Sequence, residues 1–209
     1  MSERNKGKEQ YTMVNATENR QGRIMVFSAP SGAGKTTLLD YLREQIPELV
    51  YSISATTRAP REHEKSGIHY FFLSEQEFKE KIEANEFAEW EIVHGNYYGT
   101  PRSFIDSNIC RGKHVVMDID VWGKTKFDAV YPQAVGILIL PPSMDELEKR
   151  LRARNTDSEG VIRTRLENAK KEIAYAQTRG KYEYTLINDD LRRVEAELLS
   201  IVNHLIGHK

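Results

Sequence analysis

The tightest constraint on this chain lies where Ile24-Met25-Val26-Phe27 runs into Ala29-Pro30-Ser31-Gly32-Ala33-Gly34-Lys35-Thr36-Thr37. A short apolar run without alternation is the pattern of a strand buried on both faces of a parallel sheet. The glycines let the loop fold back so that successive N–H groups point inward. A helix from about Gly34 to Gln45 then adds its positive N-terminus. Apart from its first position, the segment follows GxxxxGK[ST] in the strand–loop–helix setting that the motif requires. Residues 29–37 therefore read as a cradle for the phosphates of a nucleotide, with Lys35 reaching the β/γ-phosphates and the Thr36 hydroxyl available to Mg²⁺. Ala29 stands where the motif has a glycine, and it is comfortable there only if its φ is negative.

Strands and helices alternate downstream. Val50–Ser54, His69–Leu73, His114–Ile119, Val135–Leu140 and Tyr182–Ile187 read as strands. Helices are expected after Ser74, whose spacing to Glu77 makes a capping box, and from Pro101 to Gly112. Others follow Ser143, with Glu146 completing a second box, and cover about 158–178 and 191–204. This alternation implies βαβ units and a parallel sheet covered by helices on both faces, with ligands at the carboxyl ends of the strands. His114–Asp118 supplies an apolar strand ending in a carboxylate, so Asp118 could hold Mg²⁺ directly or through water.

Net charge is −1, from 30 basic and 31 acidic residues, so the basic excess of a nucleic-acid binder is missing. Arginines are instead clustered at Arg58/Arg61 and across 150–165, which suits a small polyanion such as a nucleotide. The single Cys110 excludes an internal disulfide and fits a reducing cytosol. No run approaches the ~20 apolar residues of a membrane helix, and the N-terminus lacks the apolar core of a secretory signal. The expected location is cytoplasmic. Residues 1–22 are polar and aperiodic and read as a disordered extension. Oligomeric state is not legible.

Four segments, Ser54-Ala55-Thr56-Thr57-Arg58-Ala59-Pro60-Arg61, Gly95-Asn96-Tyr97-Tyr98-Gly99-Thr100, Asp118-Ile119-Asp120 and Asn188-Asp189-Asp190, closely resemble guanylate kinases of bacterial type. The resemblance runs from about residue 23 to 205. It implies an α/β P-loop nucleoside-monophosphate kinase fold: a parallel five-stranded core sheet flanked by helices, a small mixed GMP-binding sub-domain at 55–100, and a helical lid at 146–168. Core segments would be 23–54, 101–145 and 169–209. The implied reaction is Mg²⁺-dependent transfer of the γ-phosphoryl group of ATP to GMP.

By the same resemblance Arg58, Arg61, Tyr70 and Tyr98 hold the GMP phosphate, a role suited to guanidinium forks and phenol donors. Ser54, Glu89, Thr100 and Asp120 would select the base. Guanine offers donors at N1 and N2 and an acceptor at O6, so a carboxylate and hydroxyls complement it, whereas adenine reverses both contacts. Glu89 lies between apolar neighbours, which leaves a purely structural buried carboxylate as the alternative. Arg150, Arg154 and Arg165 match the family's lid arginines in spacing and would neutralise the transferring phosphoryl group. Arg152 and Arg163 read as solvated surface, and Asn188 would line the adenine pocket. The chain departs from the family's usual pattern at Asn155, Gly160 and Val121-Trp122-Gly123. Two other functions stay open on paper. A peptide-binding kinase-like module would lack Lys35 or the phosphate arginines, and a sugar-phosphate kinase would not need guanine's complement.

Overall fold

The computed structural model describes residues 21–93, 95–153 and 157–208. Five strands, β1 (Ile24–Ser28), β2 (Val50–Tyr51), β7 (Val115–Asp118), β8 (Val135–Leu140) and β9 (Tyr184–Ile187), form one parallel sheet in the order β2-β7-β1-β8-β9. All five residues of β1 are buried, as the unbroken apolar run predicts for a central parallel strand.

Helices cover both faces. On one side α1 (Lys35–Gln45) and α7 (Leu191–Ile206) bury Leu38, Leu39, Leu42, Val194, Leu198 and Val202 against Phe27, Ile137 and Ile139. On the other, α3 (Arg102–Ile109) and α4 (Val121–Val130) pack Ile105, Ile109 and Phe127 against Val26, Val115 and Met117. Residue 22 lies at the edge of the expected extension, yet the Gly22 N–H donates to the Ile109 carbonyl at 2.9 Å.

A second, four-stranded mixed sheet holds β3 (Ala55–Thr56), β4 (Phe71–Phe72), β5 (Phe87–Val93) and β6 (Asn96–Pro101) in the order β4-β3-β6-β5. It carries a small core of its own from Ala55, Phe78 and Phe87, where the two phenylalanine rings stack at 4.3 Å. Phe78 comes from α2 (Glu75–Glu83), whose start is fixed by the expected reciprocal capping box between Ser74 and Glu77. The expected strand 50–54 divides here: Val50–Tyr51 stays in the core sheet, and pairing resumes at Ala55 in the second sheet. The expected strand at 69–73 shortens to Phe71–Phe72. The β5–β6 hairpin and α4 are elements that the sequence reading did not separate.

Two further helices, α5 (Met144–Ala153) and α6 (Glu159–Arg179), share a core of Leu147, Leu151, Ile162 and Ala169. The Ser143 hydroxyl accepts the Glu146 N–H at 3.1 Å, the forward half of the expected box. Arg152, expected at a solvated face, pairs with Glu148 on its own helix and with Glu159 at the start of α6.

Candidate active site

The carboxyl ends of β1 and β7 lie side by side, with Phe27 in register with Asp118. This register brings the P-loop lysine and the strand-end carboxylate together: Lys35 Nζ donates to Asp118 Oδ1. Asp118 is half exposed, so its carboxylate also faces the open end of the sheet.

Gly34 has φ 97°, and a Cβ there would lie 2.3 Å from Asn188 Nδ2. Both the backbone angle and the space demand glycine. Ala29 is not among the positive-φ residues, of which Asn85 is the one non-glycine described. The absent first glycine of the motif therefore introduces no left-handed strain. Asn188 is buried, and its amide donates to the Ala33 carbonyl at 2.7 Å, bracing the P-loop from β9. The Asn188 carbonyl in turn accepts from Arg150 Nη2 at 2.9 Å. Leu147 and Leu151 of α5 close over the loop beside Gly32.

The second sheet faces this end of the core. A cavity of about 340 Å³ between them is lined by Ser52, Ser54, His69, Tyr70, Thr100, Met117 and Asp118. Thr100, in this wall, has Glu89 as its cross-strand partner, and its hydroxyl donates to Glu89 Oε1 at 2.7 Å. Burial pushes the Glu89 carboxyl above its ordinary range, and the nearby Asp120 charge adds to the rise. Asp120 caps α4, its Oδ1 accepting the N–H groups of Trp122 (2.9 Å) and Gly123 (2.7 Å). A Cβ on Gly123 would meet Ile119 at 2.6 Å and lie 3.4 Å from Glu89 Oε2, so the glycine leaves the carboxylate its room.

On the opposite side Arg58 lies 5.5 Å above the Tyr70 ring, and Tyr70 and Tyr98 meet edge to face at 6.1 Å. Glu64 and, to a lesser extent, the neighbouring Tyr98 favour the charged form of Arg58. Arg58 Nη2 donates to both Glu64 oxygens, at 2.8 and 2.9 Å. The Arg58 guanidinium, with help from the Arg61 N–H, drives the Glu64 carboxyl down to about 2.

The structure thus gathers Ser54, Arg58, Tyr70, Glu89, Tyr98, Thr100, Asp118 and Asp120 around one end of the sheet beside Lys35. Arg165 pairs with Asp157 at 3.1 Å on the α6 side. Arg154 and Asn155 lie outside the described residues. Five residues at or beside the cavity escaped the sequence reading: Ser52, His69 and Met117 in the cavity wall, Glu64 behind Arg58, and Glu172. Burial pushes the Glu172 carboxyl up, a rise opposed by Lys35 and by the Ser31 N–H, so α6 sets a carboxylate against the P-loop. Of these, Glu64 alone had a local signal, its place three residues after Arg61.

The guanylate kinase family model matches residues 21–205 of this chain. The chain belongs to the guanylate kinase family. It is 48% identical over 190 residues to a guanylate kinase of Anaeromyxobacter dehalogenans, covering 90% of this chain and 83% of that one. Against a guanylate kinase of Myxococcus xanthus it is 46% identical, covering 87% and 86%. The crystal structure of guanylate kinase from Anaplasma phagocytophilum superposes with a TM-score of 0.65 at 32% identity, covering 88% of this chain and 86% of that one. Family and fold together make this chain a nucleoside-monophosphate kinase. No helix among the described residues is long and apolar enough to cross a membrane.

Proposed function

We propose that this protein transfers the γ-phosphoryl group of ATP to GMP, giving ADP and GDP, with Mg²⁺ as cofactor. The observation that carries the reading is the partly buried Glu89 carboxylate, hydrogen-bonded to the buried Thr100 that lines the cavity beside Asp118. One carboxylate can accept from guanine N1–H and N2–H together and the Ser54 hydroxyl can donate to O6, while the Thr100 hydroxyl, whose single proton goes to Glu89, orients that carboxylate towards the base. AMP would set its N1 acceptor against the Glu89 carboxylate and its N6 donor towards the Ser54 hydroxyl, and polar groups left mismatched in a partly enclosed site are the stronger means of rejecting a competitor. A sugar phosphate would not need guanine's donor–acceptor complement.

The GMP phosphate is assigned to Arg58, Arg61, Tyr70 and Tyr98, a cluster that couples guanidinium donors to neutral phenols. The ATP phosphates are assigned to residues 29–37, with Lys35 on the transferring group and Asn188 bracing the loop towards the adenine side. Arg150, Arg154 and Arg165 are assigned to the lid, which we divide from the core at 146–168. Their role is to balance charge that spreads over the phosphoryl oxygens as transfer proceeds.

The residues fit Mg²⁺. The half-exposed Asp118 carboxylate and the Thr36 hydroxyl are hard oxygen donors, and no larger acidic or histidine cluster is found among the described residues. Few protein ligands are what Mg²⁺ takes when phosphate oxygens and water complete its shell. Bound there, the ion would supply charge neutralisation between the phosphates. We place the reaction in the cytoplasm. Incubation with γ-labelled ATP and GMP tests the proposal: label should appear in GDP, and label confined to ATP and inorganic phosphate would contradict it.

A further inference from the structure

Glu64 is the most firmly engaged carboxylate near the cavity, and the phosphate-binding scheme above gives it no part. Its side chain is 8% exposed, against 21% for Arg58. Both of its oxygens accept from Arg58 Nη2, and Oε2 also accepts the Arg61 N–H at 2.8 Å. The turn is closed by the Glu64 N–H, which donates to the Arg61 carbonyl at 2.9 Å. Arg58 Nη1 donates to the Ala59 carbonyl at 2.8 Å, and the guanidinium lies over the rings of Tyr70 and Phe72 at 5.5 and 5.9 Å. The Arg58 side chain is therefore fixed on several sides before any substrate arrives. A guanidinium has five N–H donors, so the Glu64 and Ala59 contacts leave donors over for a second acceptor.

We infer that Glu64 is a positioning residue for recognition of the acceptor's phosphate. It locks the Arg58 fork and the Arg61 backbone into one turn, so that a phosphate meets donors already aimed. The inference rests on the reading that Arg58 binds the GMP phosphate. A flexible arginine loses rotamer freedom on binding, and a preset one has lost it already.

Simple electrostatics predicts the opposite. A carboxylate beside two arginines weakens their field, so removing its charge should tighten an anion. The sign of the effect separates the two accounts.

The test is a double-mutant cycle with Glu64→Gln, Arg58→Ala and the double variant. GMP Kd is measured by calorimetry without ATP, and KM and kcat are measured separately. Glu64→Gln is expected to raise GMP Kd roughly tenfold or more, the scale of losing a charge-assisted hydrogen bond. KM should rise more than kcat falls. In the Arg58→Ala background the same change should cost less than about twofold, because coupled residues are not additive. Glu64→Asp, which keeps the charge but shortens the reach, runs through the same cycle in case Glu64→Gln fails to fold. It too should weaken GMP only while Arg58 is present.

An unchanged or lowered GMP Kd in Glu64→Gln would overturn the inference in favour of a competing charge. An equal loss with and without Arg58 would overturn it in favour of a role in folding the turn. Should Arg58→Ala alone leave GMP Kd unchanged, the phosphate-site reading itself falls, a result distinct from any failure at Glu64.

Discussion

The Thr100 hydroxyl donates a 2.7 Å hydrogen bond to Glu89 Oε1 across the β5–β6 ladder, where the two residues are register partners. The bond aims a carboxylate that burial would otherwise make hard to keep charged. Glu89→Gln keeps the shape but places an amide donor where guanine also presents donors. The ratio of kcat/KM for GMP over AMP is expected to fall on the order of a hundredfold, mostly through loss of GMP activity. Steady-state kinetics on both nucleotides measures it, and an unchanged ratio would reject the assignment.

The same substitution has a predicted effect on stability. The folded-state pKa of Glu89 is raised, so its carboxyl favours folding in the neutral form. That contribution is complete below the ordinary carboxyl range, ~4.3, and is lost as pH rises through the raised folded value. Glu89→Gln cannot ionise. Its Tm should exceed that of the parent at neutral pH, with the gain shrinking towards acid pH. Thermal melts across that range check the sign, and a gain that grows on acidification would contradict it.

Lys35 is held by Asp118 in the free protein, ready for a phosphate. Lys35→Ala should lower kcat by roughly 10²–10³-fold or more, the scale of removing one preset donor from a charge-developing site. GMP Kd should move little, because the acceptor contacts lie across the cavity. A parallel loss of GMP binding would show that the two sites are not separable in this way.

Lys124 is fully buried, with Nζ 2.6 Å from both Asp128 oxygens and 3.0 Å from the Lys181 carbonyl. Lys124→Met should destabilise the protein by ~3 kcal/mol. This is the low end for breaking a buried pair, because Asp128 keeps some access to water. The GMP/AMP ratio should be unaffected. Denaturant unfolding measures the loss, and a stable variant would mean that Asp128 is readily solvated without its partner.

The P-loop side of the candidate site was legible because its constraints are local. Gly34 and Lys35 sit in a motif whose backbone geometry dictates residue type, and Asp118 ends a strand whose apolar run marks it as central. What the sequence concealed depends on long-range pairing. The β5–β6 hairpin interleaves polar and aromatic residues, and a cross-strand contact such as Glu89–Thr100 defines it. Helix α4 reads VWGKTKFDAV, with a glycine and β-branched residues that weaken helix propensity. It is specified by the Asp120 cap and by burial of Val121 and Phe127. Lys124 in that helix would be taken for a solvated charge, since only the fold shows that Asp128 and Lys181 enclose it. Glu64 was hidden for a similar reason. Glu62 stands nearer Arg58 in sequence, and the turn selects the farther carboxylate.

The central claim is that this site chooses guanine. It is tested most directly by kcat/KM measured in a coupled ADP-release assay with GMP, AMP, UMP and a ribose bisphosphate at fixed ATP and Mg²⁺. GMP should exceed each of the others by on the order of 10³-fold or more, the range available to a site that leaves buried polar groups unpaired with the wrong ligand. Comparable turnover of AMP or the sugar phosphate, or no GMP-dependent ADP release from folded protein, would contradict the account.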